Sequence, residues 1–370
     1  MNFGLYVHIP FCARKCAYCD FYSASADDKI TARYFAALER EIKLRAQTAQ
    51  GRLDTVYIGG GTPSLADEKL ISRLMKVIAE SFDSGISEAT IECNPESFSA
   101  KKAEAYRAVG LNRISLGVQT LNDKILSYIG RIHNKNTAIK AVELAKMYFD
   151  NVSADVMLGL PFQTVGDVKD TLGQLVDLGV KHISAYGLKI EENTPLHALH
   201  KNREFEIDDD LAADMYDFSV DFLKSQGYGR YEISNFAREG YTSLHNLAYW
   251  QRKPYIGIGA AAHSFDGNTR FNNVRDTAKY ISALEKDEIP VENVEILSYD
   301  DKKAEAVMLA LRTERGLDIK AFNREFDTDF YFEYAEAITN NKDNILIENG
   351  YIRIEYNKFY ISNGIIADFI

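Results

Sequence analysis

FCARKCAYCDFY, residues 11–22, holds three of the chain's four cysteines, Cys12, Cys16 and Cys19, at C-x3-C-x2-C spacing. An apolar run from Leu5 to Pro10 leads straight into it. A disulfide framework needs an even set, and Cys93 is far away in sequence. Structural zinc needs a fourth ligand, usually from a second Cys/His pair, and His8 sits inside the apolar run rather than at ligand spacing. Three thiolates suit a cubane iron–sulfur cluster with one iron left open. Structural zinc and incidental cysteines are the alternatives.

Outward from this stretch, short apolar runs alternate with helical patterns. Leu5–Ile9, Thr55–Ile58, Glu88–Cys93, Arg113–Val118, Val152–Leu158 and His182–Leu188 read as six strands. Between them, Asp28–Ala46, Asp67–Phe82, Ala100–Val109, a helical pair ending near Met147, and Thr164–Leu178 read as helices. Such alternation means βαβ units and a parallel sheet, either doubly wound or an incomplete barrel. In both, the loops after the C-terminal strand ends carry the chemistry. The cysteines, the glycine run, Glu92, Gln119 and Asp155 all fall on or near those ends.

After the sixth strand the rhythm changes. A turn at Glu191–Thr194, a helix over Asp208–Ser225, short β-like pieces and a helix at Tyr280–Leu284 lead to a second unit. There Asp301–Leu311, Ile319–Phe326 and Phe330–Thr339 read as helices, and Tyr351–Ile354 with Phe359–Ile361 as a hairpin, a small winged-helix-like arrangement. The expected organisation is a core over 1–195, an extension over 196–295 and a C-terminal domain over 296–370.

At 370 residues, 46% hydrophobic and 26% charged, the composition is that of a globular protein. The net charge of −11 gives no electrostatic case for binding nucleic acid, in the C-terminal unit or elsewhere. No apolar run approaches the ~20 residues that a membrane-spanning helix requires. With no export pattern before Leu5 and few, clustered cysteines, the expected location is the cytoplasm.

Gly59-Gly60-Gly61-Thr62 at the second strand end offers backbone N–H groups to a carboxylate, amine or phosphate, although a tight turn explains many such runs. It is neither a Walker loop nor a dinucleotide fingerprint. Glu92, Gln119, Arg131 and Asp155 are rim salt-bridge residues taken singly. Together they form a ring around a polar cofactor, with acidic groups for ribose hydroxyls or an ammonium and Arg for a carboxylate. Cys93 reads as a buried small hydrophobe. His245-Asn246-Leu247-Ala248-Tyr249-Trp250 gathers a His, an Asn, a Tyr and the only Trp. These residues either pack with their polar tips satisfied or form a site for a flat aromatic ligand with His245 as axial iron ligand. His263 is a further candidate, and His197 and His200 read as exposed.

The cysteine motif after one strand, the glycine run after the next and the six-unit α/β body resemble the radical S-adenosylmethionine (SAM) superfamily. The resemblance implies a partial (βα)6 TIM-like barrel and a four-iron four-sulfur (4Fe-4S) cluster on Cys12, Cys16 and Cys19, its open iron chelated by SAM. LYVHIPFCARKCAYCDF, YIGGGTPS, IECNPES, RISLGVQT, GRIH, ADVMLGLP and HNLAYW look like one branch. It contains the oxygen-independent coproporphyrinogen III dehydrogenase (oxidase) and the HemW-type heme chaperones, and the likeness includes the C-terminal domain. By motif, the SAM site would comprise Tyr6, Tyr18, Gly60, Gly61, Thr62, Glu92, Gln119, Arg131 and Asp155, with Gly187 a looser match.

Three features favour the chaperones over the dehydrogenase. Phe21 stands where the dehydrogenase has a further cysteine. About four residues precede the first strand where the dehydrogenase has an extension. HNLAYW is the pattern associated with heme binding. The resemblance thus implies heme bound by His245, Asn246, Tyr249 and Trp250 and passed to an acceptor such as a membrane respiratory enzyme, without coproporphyrinogen dehydrogenase activity.

Overall fold

The computed structural model describes residues 2–25 and 27–370. β1 (Asn2–Ile9) runs into the cysteine loop, and α1 (Asp28–Ala46) follows it. α1 starts where the Asp27 carboxylate accepts the Ile30 N–H at 2.8 Å, a side-chain N-cap. Its Tyr34, Phe35, Leu38 and Ile42 recur at helical spacing and are buried against the sheet. The pattern then repeats as β2 (Arg52–Gly60), α2 (Glu68–Ser81), β3 (Ser84–Cys93), α3 (Ala100–Ala108) and β4 (Arg113–Gln119). α4 (Asp123–Tyr128), α5 (Lys135–Tyr148), β5 (Asn151–Leu158), α6 (Val165–Asp177) and β6 (His182–Gly187) complete it.

β1 to β6 pair in parallel and in chain order. Chain order equal to spatial order leaves no switch point, which decides between the two architectures: the sheet is a barrel wall, not a doubly wound sheet. The curvature is visible in the side chains. Tyr57 on β2 and Tyr186 on β6 line one cavity, although four strand spacings in a flat sheet would separate them by about 19 Å.

The wall continues at both edges. α7 (Pro195–Lys201) and α8 (Asp209–Ser225) precede β7 (Gly229–Arg230) and β8 (Asn235–Ala237), and β8 runs antiparallel to β6. α9 (Leu244–Trp250) then leads to β9 (Tyr255–Ile258), which lies parallel to β1. β10 (His263–Phe265), β11 (Thr269–Asn273), α10 (Thr277–Leu284) and β12 (Val291–Ile296) carry the sheet to twelve strands. Fully buried Glu41 on α1 stitches this edge down. Its carboxylate accepts from the Gly259 N–H at 2.9 Å, Asn273 Nδ2 at 2.7 Å and the Tyr280 hydroxyl at 2.7 Å.

The remaining chain comprises α11 (Tyr299–Leu311), β13 (Leu317–Asp318), α12 (Ile319–Glu325), α13 (Phe330–Glu333), α14 (Ala335–Asn340), β14 (Ile345–Glu348), β15 (Tyr351–Ile354) and α15 (Ser362–Ala367). The expected hairpin is corrected here. Tyr351–Ile354 pairs with Ile345–Glu348, and Phe359–Ile361 belongs to a short 3-10 helix. Asn349 and Gly350 form the turn, with φ of 53° and 81°. A two-residue Asn-Gly loop with both residues left-handed matches the twist of a tight hairpin, so the dipeptide itself carried the signal. Buried Arg230 fastens this part to the sheet edge. It donates to Glu314 and to the Tyr356 carbonyl, both at 3.0 Å, and lies over the Phe359 ring at 3.7 Å.

Candidate functional site

The cysteine loop lies flat across the end of β2. The Gly61 N–H donates to the Ile9 carbonyl and the Thr62 N–H to the Phe11 carbonyl, both at 2.8 Å. The Gly60 N–H donates to Glu92 Oε2 at 3.1 Å. The Gly60, Gly61 and Thr62 N–H groups, expected to serve a ligand, are therefore engaged within the protein. The glycines serve another purpose, close approach. A Cβ on Gly61 would stand 2.8 Å from the Phe11 carbonyl oxygen and 2.9 Å from Cys12 Sγ.

Cys12, Cys16 and Cys19 are each partly buried at the mouth of a cavity of about 370 Å3 inside the barrel. Thr62 Oγ1 donates to Cys12 Sγ and Arg131 Nη1 to Cys16 Sγ, both at 3.6 Å. Burial raises the Cys12 and Cys19 thiols. The Thr62 hydroxyl partly offsets this at Cys12 and the Phe21 backbone at Cys19. Among the described residues no group of three or more His, Cys, Asp or Glu converges on a single-ion position. A cluster with one thiolate per iron has no such requirement.

Eight of the ten expected SAM residues line this cavity: Tyr18, Gly60, Gly61, Thr62, Glu92, Gln119, Arg131 and Asp155. Tyr6 does not. It faces a second cavity, where its hydroxyl meets His8 Nδ1 at 3.0 Å. Gly187 lines neither and is exposed at the end of β6. Gln119 reaches its place through a register shift in β4 after Gly117 and a left-handed φ of 67°, a strained position held by the surrounding sheet. Arg131 Nη2 donates to Asn94 Oδ1 at 2.9 Å and to the Gly117 carbonyl at 2.6 Å, while its Nε is buried without a partner.

Several lining residues were not singled out in the sequence: Tyr57, Arg113, Ser115, Ser184 and Tyr186. Arg113 is 1% exposed with Nε and Nη1 unpartnered. Their signal was alternation. On β4, Arg113, Ser115, Gly117 and Gln119 occupy every second position of an otherwise apolar strand, so one face of a buried strand is polar. The site thus sets unpaired guanidinium N–H groups against buried carboxylates beside three thiols. This donor set fits a thiolate-held cluster and a ligand bearing both a carboxylate and an ammonium.

Glu92 accepts from the Tyr57 hydroxyl at 2.8 Å, yet burial lifts its carboxyl to about 7. Between about pH 4.5 and 7 the folded chain keeps a proton here that the unfolded chain has released. Stability of the unliganded chain therefore falls as pH rises across that window, Glu92 contributing about 2–3 kcal/mol. Glu92→Gln removes this component. Urea unfolding of both proteins at about pH 5 and pH 7.5 checks it, and identical pH slopes would contradict it.

The HNLAYW stretch forms α9, which closes the barrel floor. Its first turn is held by buried Glu88 of β3, which accepts the Leu244 and His245 N–H groups, both at 3.0 Å. His245 is 1% exposed and both ring nitrogens are engaged, Nδ1 with Thr55 Oγ1 at 2.8 Å and Nε2 with the Tyr249 hydroxyl at 2.9 Å. Burial, and then Arg113, lower it to about 3, so it is neutral at physiological pH. Iron ligation through His245 would require surrendering one of these bonds. Asn246 lines the first cavity, Tyr249 the second, and Trp250 neither. His197 and His200 are half-buried on α7 rather than exposed.

Residues 6–175 match the radical SAM superfamily. The chain is 34% identical over 349 residues to the heme chaperone HemW of Bacillus subtilis (strain 168), covering 93% of this chain and 92% of that protein. It is 34% identical to the heme chaperone HemW of Lactococcus lactis subsp. lactis (strain IL1403), covering 99% and 96%. The chain belongs to the HemW family of the radical SAM superfamily. Superfamily membership implies a 4Fe-4S cluster and SAM. The fold is also that of the coproporphyrinogen III oxidase HemN from Escherichia coli, with a TM-score of 0.87 at 24% identity over 100% of this chain and 90% of that one. Among the described residues no helix is long and apolar enough to cross a membrane.

Proposed function

We propose that this chain binds heme and passes it to an acceptor protein, and that it carries a 4Fe-4S cluster on Cys12, Cys16 and Cys19 with SAM at the open iron. The observation that carries the reading is the near end-to-end likeness to proteins named as heme chaperones. When bound, the cluster and SAM supply low-potential electron chemistry. The chain's own residues bind and orient them. Arg131 offers N–H groups to the SAM carboxylate, Glu92 offers a carboxylate to its ammonium, and Tyr18, Gln119 and Asp155 close the cavity around the remainder. Of the heme-associated residues His245, Asn246, Tyr249 and Trp250, Asn246 lines the first cavity and Tyr249 the second, with His245 bonded to the Tyr249 hydroxyl. Phe21, in place of the dehydrogenase's further cysteine, opposes decarboxylation of coproporphyrinogen. The acceptor is a heme-requiring enzyme such as a membrane respiratory protein, met from the cytoplasm.

Hemin titration of the anaerobically reconstituted protein should give a saturable Soret band. Mixing the loaded protein with membranes that hold a heme-free respiratory enzyme should restore that enzyme's activity. Formation of protoporphyrinogen IX from coproporphyrinogen III, with SAM and reductant supplied, would overturn the reading in favour of the dehydrogenase.

A further inference from the structure

The second cavity, of about 570 Å3, lies beside the first and shares Tyr18, Cys19 and Phe21 with it. Its volume falls in the range of small-molecule and cofactor sites. Its wall is aromatic: Tyr18, Phe21, Tyr22, Tyr249 and Tyr255 contribute rings, and flat rings are the natural neighbours of a flat apolar ligand. Phe21 is 70% exposed and contributes to both cavities, so its ring stands at their common edge.

The histidines distinguish this cavity. Of seven in the chain, His8, His133, His182, His200 and His245 each have a ring nitrogen in a hydrogen bond. His197 lines neither cavity. His263, on β10, lines the second cavity, is solvent-exposed, and its ring has no hydrogen-bond partner among the described residues. It is held in place by backbone. Ala261, also in the wall, has a left-handed φ of 61°, secured by its N–H to the Val274 carbonyl and by the Asn273 N–H to the Ala262 carbonyl, both at 3.0 Å. Such strain persists only where the surroundings enforce it. Arg275 lies in the same wall, its Nη2 donating to the Asp20 carbonyl at 3.3 Å, with its other N–H groups free to pair with a carboxylate.

Resting on the heme reading above, we infer that the heme cargo occupies this second cavity, with His263 as an axial ligand to the iron and Arg275 as partner of a propionate. The imidazole donates a lone pair to the ferric iron and no oxidation state changes. Haem iron takes one or two protein ligands, so the absence of a three-ligand ion site is no obstacle. The inference also gives α9 a part without making His245 a ligand. His245 is a positioning residue, holding the Tyr249 hydroxyl at 2.9 Å and so setting the ring that faces the heme.

The test is hemin titration of reconstituted wild type, His263→Ala, Arg275→Ala and, as a control, His197→Ala, read by difference absorption and ferric-heme EPR. His263→Ala should lose affinity on the order of 100-fold, since even outer-sphere changes at metal sites cost about 10–100-fold. Its Soret maximum should shift, and added imidazole should restore it. Arg275→Ala should bind more weakly with the Soret position unchanged, and His197→Ala should match wild type. A His263→Ala protein with wild-type affinity and spectrum would overturn the assignment. So would a shifted spectrum that imidazole leaves unaltered, since that marks a repacked cavity rather than a vacated ligand position. Wild type that binds no hemin saturably would overturn the heme reading itself, and the inference with it.

Discussion

Changing any one of Cys12, Cys16 and Cys19 to serine should abolish the cluster while leaving the fold intact. In the proposed assignment each thiolate holds its own iron, and the chain has no cysteine to substitute: the fourth, Cys93, is buried on β3 with its thiol pushed up to about 12 by burial. The loop itself does not depend on the cluster for its path. The Ala24 N–H bonds the Pro10 carbonyl at 2.7 Å, the Ala17 N–H the Ile129 carbonyl at 2.9 Å, and the Leu196 N–H the Ala17 carbonyl at 2.8 Å. Iron and sulfide analysis with visible absorption after anaerobic reconstitution reads the loss. Far-UV circular dichroism reads the fold, and Cys93→Ser serves as the control that keeps its cluster. Full iron content in all three serine variants would remove the common basis of the cluster and SAM assignments.

Gly61→Ala should come close to the same outcome without touching a ligand. A methyl group there would meet the Phe11 carbonyl oxygen and the Pro10 carbonyl carbon at 2.8 Å and Cys12 Sγ at 2.9 Å. Real Cβ atoms do not sit that close to backbone, so the loop must lift from the end of β2, carrying Cys12 with it. Overpacking of this kind costs about 1–3 kcal/mol, against a total stability of about 5–15 kcal/mol for a typical domain, so the chain should still fold. Cluster occupancy should fall well below one, and the affinity for SAM should drop by about 100-fold, since misplacement by about 1 Å carries penalties of that order. Gly173→Ala is the matched control. It lies inside α6, a Cβ there meets nothing within 4 Å, and the change should stabilise by up to about 1 kcal/mol. Full cluster occupancy in Gly61→Ala would show that the loop has more freedom than its hydrogen bonds indicate.

The two predictions separate what local pattern encodes from what it leaves open. The cysteine spacing is a local quantity, and so is the alternation of apolar runs with amphipathic helices; both are legible along the chain. The glycine run is legible as a place where side chains are excluded. What excludes them is not, because the excluding atoms belong to residues 10–12, some fifty positions earlier. The same holds for polar alternation on β4. It marks a strand with one polar face, but only the curl of the sheet shows that this face shares a lumen with Tyr57 and Tyr186. The Asn349-Gly350 turn is a local signal of a different kind, and the four-residue strand Ile345–Glu348 before it is too short to stand out from the chain.

HNLAYW is the clearest divide. Composition alone makes His245 an attractive iron ligand. Its environment is supplied by Thr55 and Tyr57 on β2, Glu88 on β3 and Gly4 on β1, where a Cβ would stand 3.1 Å from the His245 ring. These partners lie 157 or more residues away, and with the nearby Tyr249 hydroxyl they make His245 a buried, doubly bonded, neutral ring. His263, a secondary candidate in sequence just beyond a run of small residues, emerges with an unpartnered ring in the wall of an aromatic cavity. By itself the sequence determined the family, and it marked the three clustered cysteines and most of the polar residues that line the first cavity, because each depends on spacing along the chain. Only the tertiary structure decided barrel over open sheet, which backbone groups are already spent, and which cavity-lining histidine keeps an unpartnered ring. Those depend on what distant strands bring to the same point, and hydrogen-bonding capacity is consumed by whichever partner folding places there.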